Sequence, residues 1–118
     1  MTKNERGILS EWQVASHRRR FYGETLLNHR YKTPFAEIDL VLHHQQEASL
    51  TMIEVKTDAT YIRDGEPVGL RQRQRLLAAR EYLDDISGMQ VRLLVAVVSH
   101  SQESALICRV RYFELANY

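Results

Sequence analysis

Hydrophobic and polar residues alternate with a period of two over Glu37–His44. Ile38, Leu40 and Leu42 fall on one face, and Glu37, Asp39, Val41 and His43 on the other. That pattern predicts a half-buried strand. Leu50–Thr57 alternates likewise, with Ile53 and Val55 on one face and Met52, Glu54 and Lys56 on the other. The polar stretch Gln45–Ser49 between them reads as a turn. A shorter strand, Thr25–Tyr31, precedes the pair and is interrupted by Thr33-Pro34. Val91–Val98 is almost wholly apolar, as expected of a strand covered on both faces. Ala105–Leu115 alternates again and closes the series.

Two stretches carry the helical period. Over Asn4–Arg20 the stripe is Ile8, Trp12, Ala15 and Arg19, with Asn4 as the expected cap and Gly23 beyond the end. Over Val68–Ile86 it is Gln72, Leu76, Ala79, Leu83 and Ile86, ended by Ser87-Gly88. Asp58–Pro67, with Gly65 and Pro67, reads as a loop. The order is αβββαββ, an α/β arrangement. Sequential strands favour hairpins, and a helix before Val91 favours a crossover. The expectation is a mixed sheet with one helix on each face, forming a single domain over residues 1–118.

Composition narrows the class. With 44% hydrophobic and 26% charged residues the chain has the make-up of an ordinary globular protein. A net charge of +1 does not announce a nucleic-acid binder. The basic residues are nonetheless grouped, as His17-Arg18-Arg19-Arg20 and as Arg71, Arg73, Arg75 and Arg80. Cys108 is the one cysteine, which excludes an intrachain disulfide and a cysteine-based metal cluster. Its apolar surroundings suggest a buried thiol. No apolar run reaches the length of a membrane span, and the first residues lack a signal-peptide core. A cytoplasmic protein with no membrane partner is expected.

The chemistry concentrates on the hairpin. Glu54 and Lys56 share a strand face, and Asp39 joins them if the two strands pair in the right register. Asp39 and Glu54 are hard oxygen donors suited to Mg²⁺ or Mn²⁺, and the Val55 backbone carbonyl lies between Glu54 and Lys56 as a further ligand. Lys56 can steady charge developing on a phosphate. The same three residues also suit a structural ion pair, since partly buried charges need partners. Residue types and spacing leave both open. His43 and His44 point to opposite strand faces and do not make a metal pair. Tyr22, Tyr31 and Tyr61 suit base stacking and core packing equally.

The wording Phe35-Ala36-Glu37-Ile38-Asp39-Leu40-Val41, followed by Met52-Ile53-Glu54-Val55-Lys56-Thr57, resembles the core of the YraN-like (UPF0102) family. That family is a branch of the PD-(D/E)xK, restriction-endonuclease-like nuclease superfamily. The resemblance spans Gly7 to Leu83. It implies a restriction-endonuclease-like fold and Mg²⁺- or Mn²⁺-dependent hydrolysis of phosphodiester bonds in nucleic acid, DNA first. It implies Asp39 and Glu54 as metal ligands and Lys56 as the catalytic lysine. Glu11 matches the helix glutamate that completes the metal shell. From its own spacing Glu11 is either a rim charge near Arg18 or Arg19, or a site residue.

Three positions depart from the family pattern. Ala36 replaces a glycine, Asp58 a basic residue, and Gln72 a lysine at the start of the second helix. They thin the positive charge where a phosphate would bind, and leave a non-catalytic nucleic-acid-binding module as the alternative. Arg71, Arg73 and Arg75, with Gln72, are the candidate nucleic-acid contacts, or else a solvated helix face. The last strand, if it lies at a sheet edge, offers a route to a homodimer.

Overall fold

The first helix opens at Thr2 rather than Asn4, because the Thr2 hydroxyl accepts the Glu5 N–H at 3.1 Å. In the computed structural model, which describes residues 1–58 and 68–116, this helix, α1, runs Lys3–Tyr22. It stops at Gly23, whose φ of 69° is the left-handed turn that glycine adopts without steric cost. Then come β1 (Thr25–Lys32), β2 (Glu37–His44), β3 (Ser49–Thr57), α2 (Leu70–Ser87), β4 (Gln90–His100) and β5 (Cys108–Glu114). The expected loop residues Tyr61, Asp64, Gly65, Glu66 and Pro67 lie outside the described residues.

The five strands form one sheet in the order β1-β2-β3-β4-β5. β1, β2 and β3 pair antiparallel, β4 joins β3 in parallel, and β5 returns antiparallel to β4. This is the mixed sheet that hairpins plus one helical crossover produce. β5 is an edge strand, the position on which a route to a homodimer depends.

The helices cover opposite faces. Val14 of α1 packs with Leu40, Leu42, Ile53, Leu94, Ala96 and Val98. Leu76, Ala79 and Leu83 of α2 pack with Val41, Met52, Leu93, Val95 and Val97. β4 feeds both layers, and each large apolar side chain it buries contributes roughly 1.5–3 kcal/mol. No helix among the described residues is long and apolar enough to cross a membrane.

Four expectations are corrected. The buried face of α1 is Ser10, Glu11, Val14 and Arg18, while Trp12 and Arg19 are exposed. Hydropathy picks the wrong stripe there because the inward groups are polar and satisfied by Glu24, His29, Arg30, Thr57 and His100. Ile86 is exposed, and the buried stripe of α2 ends at Leu83. Cys108 is half-buried, since β5 is an edge. Ile38 joins the α2-side cluster with Val41, whereas Leu40 and Leu42 face α1. The alternation of β2 therefore breaks at Asp39.

Candidate functional site

That break builds the site. The β2–β3 ladder runs from His44↔Ser49 to Leu40↔Ile53. One more rung in this register would set Asp39 opposite Glu54. Instead the Val55 N–H is bonded to Asp39 Oδ2 at 2.7 Å. β3 stays with β4 as far as Thr57↔Val98, and β2 stays with β1 as far as Glu37↔Lys32. A notch opens between β2 and β3, with Asp39 and Glu54 at its head. On β1, Arg30 lies between the pairs His29↔Leu40 and Tyr31↔Ile38 with a φ of 55°, a left-handed conformation uncommon for arginine.

The two carboxyl groups interact across the head of the notch, and both are held above their ordinary values. Burial and the neighbouring charge of Asp39 push Glu54 up to about 8. Burial also raises Asp39, with Glu11 adding to the effect. The Glu54 carboxyl, the Val55 N–H and Lys56 pull it back. Lys56 Nζ lies 3.5 Å from Glu54 Oε2. Gln72 Nε2 donates to the same oxygen at 2.6 Å, so Gln72 faces inward as its stripe predicted. Asp39, Glu54 and Lys56 are thus brought together.

Glu11 reaches the edge of this cluster. Its partners are His29 and Arg30, not Arg18 or Arg19. Its Oε1 is bonded to His29 Nε2, and Arg30 donates to its two oxygens at 3.2 and 3.4 Å. Among the described residues, no group of three or more His, Cys, Asp and Glu side chains is arranged to hold a metal ion. The donor chemistry of the pair still fits Mg²⁺ or Mn²⁺. Two hard carboxylates brought together, one of them held protonated up to about 8, offer oxygens that a divalent cation can take in the proton's place. Mg²⁺ is commonly held by one or two carboxylates and keeps its remaining ligands as water.

Of the arginines of α2, Arg71 and Arg75 line one shallow recess with Phe35 and Gln74. Arg73 donates to the Ala116 carbonyl at 2.8 Å. Arg71 and Arg75 are exposed, and Arg75 lines a small recess with Phe35, Glu37 and Gln72. A larger cavity, about 560 Å³, adjoins Lys56 and is lined also by Lys3, Arg6, Gly7 and Asp58.

Asp58 has a structural task. Its Oδ1 accepts the His100 N–H at 2.8 Å, and its Oδ2 meets Arg6 at 3.1 Å and His100 Nδ1 at 3.3 Å. His100 Nε2 reaches Gln13 Oε1 at 2.8 Å and the fully buried Ser10 hydroxyl at 3.4 Å. Ser10 in turn accepts from Thr57 Oγ1 and donates to the Arg6 carbonyl. This network ties α1 to the ends of β3 and β4 and fixes the strand that carries Lys56. Ala36 keeps the entry to β2 without positive φ, its backbone held by the Thr33 hydroxyl.

Several partners were invisible in the sequence. His29 and Arg30 belong to the site only because β1 pairs with β2 in this register. Arg18 and Glu24 form a buried ion pair, and the Thr51 hydroxyl donates to Glu24. Arg18 also lies 3.8 Å above the Tyr22 ring. A pairing between distant elements leaves no local signal.

A mixed αβββαββ sheet, with an acid pair and a lysine at the mouth of a strand notch, defines a protein of restriction-endonuclease-like fold. The family model described as "Uncharacterised protein family UPF0102" matches residues 13–110. The chain belongs to that family, the YraN-like one, and Asp39, Glu54 and Lys56 lie within the match. A search of curated proteins returns no match.

Proposed function

We propose that the protein is a metal-dependent nuclease of the cytoplasm, hydrolysing phosphodiester bonds of DNA or of structured or single-stranded nucleic acid. The observation that carries this is the convergence of two acids and a lysine at the notch: Asp39 anchored on the Val55 N–H, and Lys56 Nζ 3.5 Å from Glu54 Oε2. Buried like charges forced together destabilise a fold, and a cation site gives the arrangement a use. Asp39 and Glu54, with the Val55 carbonyl, would hold Mg²⁺ or Mn²⁺. Glu11 would join once released from Arg30. The ion, when bound, supplies Lewis acidity to a phosphate oxygen and to water. Lys56 offers a cation to the charge that develops on the phosphate. Val55 fixes Asp39 through its N–H, and Gln72 orients Glu54.

A second reading is a binding module without cleavage. It is favoured by Gln72 standing where the related pattern has a lysine, and by Asp58 being committed to His100 and Arg6. Purified protein with Mg²⁺ or Mn²⁺ on duplex, single-stranded and branched substrates separates the two. Nuclease function requires product that Asp39→Ala and Lys56→Ala both abolish while remaining folded. Salt-sensitive binding with no product on any substrate supports the module.

A further inference from the structure

We propose that Trp12, His29 and Arg30 form a binding patch for single-stranded nucleic acid beside the carboxylate pair. Trp12 offers a ring to a base, and Arg30 offers a cation to a phosphate. This rests on the site handling nucleic acid, and not on its cutting it.

Three observations meet here. Trp12 is 48% exposed on α1, although it is the largest apolar side chain of that helix. Its ring lies 4.8 Å from that of His29, tilted by 38°. The outer indole surface is therefore held in place by a neighbour and still open to solvent. His29 and Arg30 both close on Glu11, which fixes the patch to the edge of the Asp39–Glu54 cluster. Arg30 keeps a left-handed backbone with its side chain 39% exposed. Strained conformations of this kind cluster where a side chain must be aimed. The carboxylate Arg30 now grips has the planar two-oxygen geometry that a phosphate also presents to a guanidinium.

The class of ligand follows from the ring. Bases inside a duplex stack on one another and give no free face. An unpaired base can stack on an exposed aromatic, and does so with little regard to sequence. A cation beside such a ring tracks the backbone and makes binding salt-dependent. The patch also supplies positive charge that Gln72 and Asp58 do not.

Trp12 is the one tryptophan of the chain, so it reports on its own contact. The test titrates an oligodeoxythymidylate, and a duplex of equal length, into the intact protein in EDTA. Tryptophan emission and the anisotropy of labelled oligonucleotide are followed together. The single strand should quench Trp12 saturably, and the duplex should quench it far less. Trp12→Ala should weaken the single-strand affinity about tenfold. Arg30→Gln should weaken it by a similar factor and flatten its salt dependence, while Arg30→Lys, which keeps the charge but loses the fork, keeps the salt dependence and loses part of the affinity. Circular dichroism verifies that each variant is folded. Equal quenching by duplex, no quenching, or affinity unchanged in both Trp12→Ala and Arg30→Gln would overturn the patch. Metal is absent, so the nuclease reading is judged separately. Binding without any metal-dependent product leaves the patch standing and removes the nuclease. Cleavage of single strands that Trp12→Ala and Arg30→Gln leave untouched does the reverse.

Discussion

Asp39 accepts the backbone N–H of Val55 at 2.7 Å, on the rung where β2 and β3 separate. A side chain thus takes the donor that a continued ladder would have given to a carbonyl. The acid is held at the notch by the strand that carries Glu54 and Lys56, so its position does not depend on rotamer preference alone.

Glu54 makes stability depend on pH. Its carboxyl ionises near 4.5 in an unfolded chain and at about 8 in the fold. Between those values the folded state holds the extra proton, so stability falls as pH rises through this window. Glu54→Gln removes the loss. Melting curves should show the variant matched to the parent below pH 4.5 and more stable at pH 8 by about 1 kcal/mol or more. A gain of equal size at both ends contradicts the proton held on Glu54.

Gln72→Lys places a cation where an amide now donates to Glu54 at 2.6 Å. An opposite charge at that range favours the ionised carboxyl. The Glu54 titration should move down, and the pH window of declining stability should narrow from its upper end. Carboxyl shifts followed by NMR across the titration measure this, and an unmoved Glu54 would count against the contact.

Much of this was legible in the sequence, for definite reasons. Strand alternation and the apolar run of β4 predicted the order of elements, a mixed sheet and the helix on each face. The spacing of Asp39, Glu54 and Lys56 predicted their convergence once the register was right. What escaped was non-local. The inward face of α1 carries Ser10, Glu11 and Arg18, whose burial is made tolerable by His29, Arg30, Glu24 and His100 from elsewhere in the chain. Hydropathy reads such a face as solvent. The turn of Ile38 to the α2 side depends on where β2 leaves β3, which no period of two encodes.

Arg18 and Glu24 are a buried ion pair, with side chains 3% and 5% exposed. Removing either partner leaves the other charge without compensation. Arg18→Met alone should therefore cost about 3–5 kcal/mol in denaturant unfolding. Combining it with Glu24→Leu should recover part of that loss, limited by the Thr51 hydroxyl left without its acceptor. A single variant as stable as the parent would show that the pair is dispensable.

Asp58 works in the opposite pH direction from Glu54. Burial opposes its charge, but the backbone and ring of His100 and the Arg6 guanidinium outweigh it and hold the carboxyl below its usual value. The stabilisation is present above the unfolded pKa of 3.8 and is lost as pH falls through the lower folded value. Asp58→Asn should cost about 1 kcal/mol at neutral pH, with the difference shrinking as acid is added. Acid-unfolding curves for the two proteins check it, and a constant offset would contradict it.

The central claim is that the Asp39–Glu54 pair holds a proton in the place a divalent cation can take. Calorimetric titration of Mn²⁺ into the parent and into Asp39→Ala, in two buffers of different ionisation enthalpy, tests it most directly. The predicted result is a saturable isotherm that releases a proton below pH 8, tightens as pH rises toward that value, and disappears in Asp39→Ala. Binding that is absent from the parent, or that persists unchanged without Asp39, would contradict it.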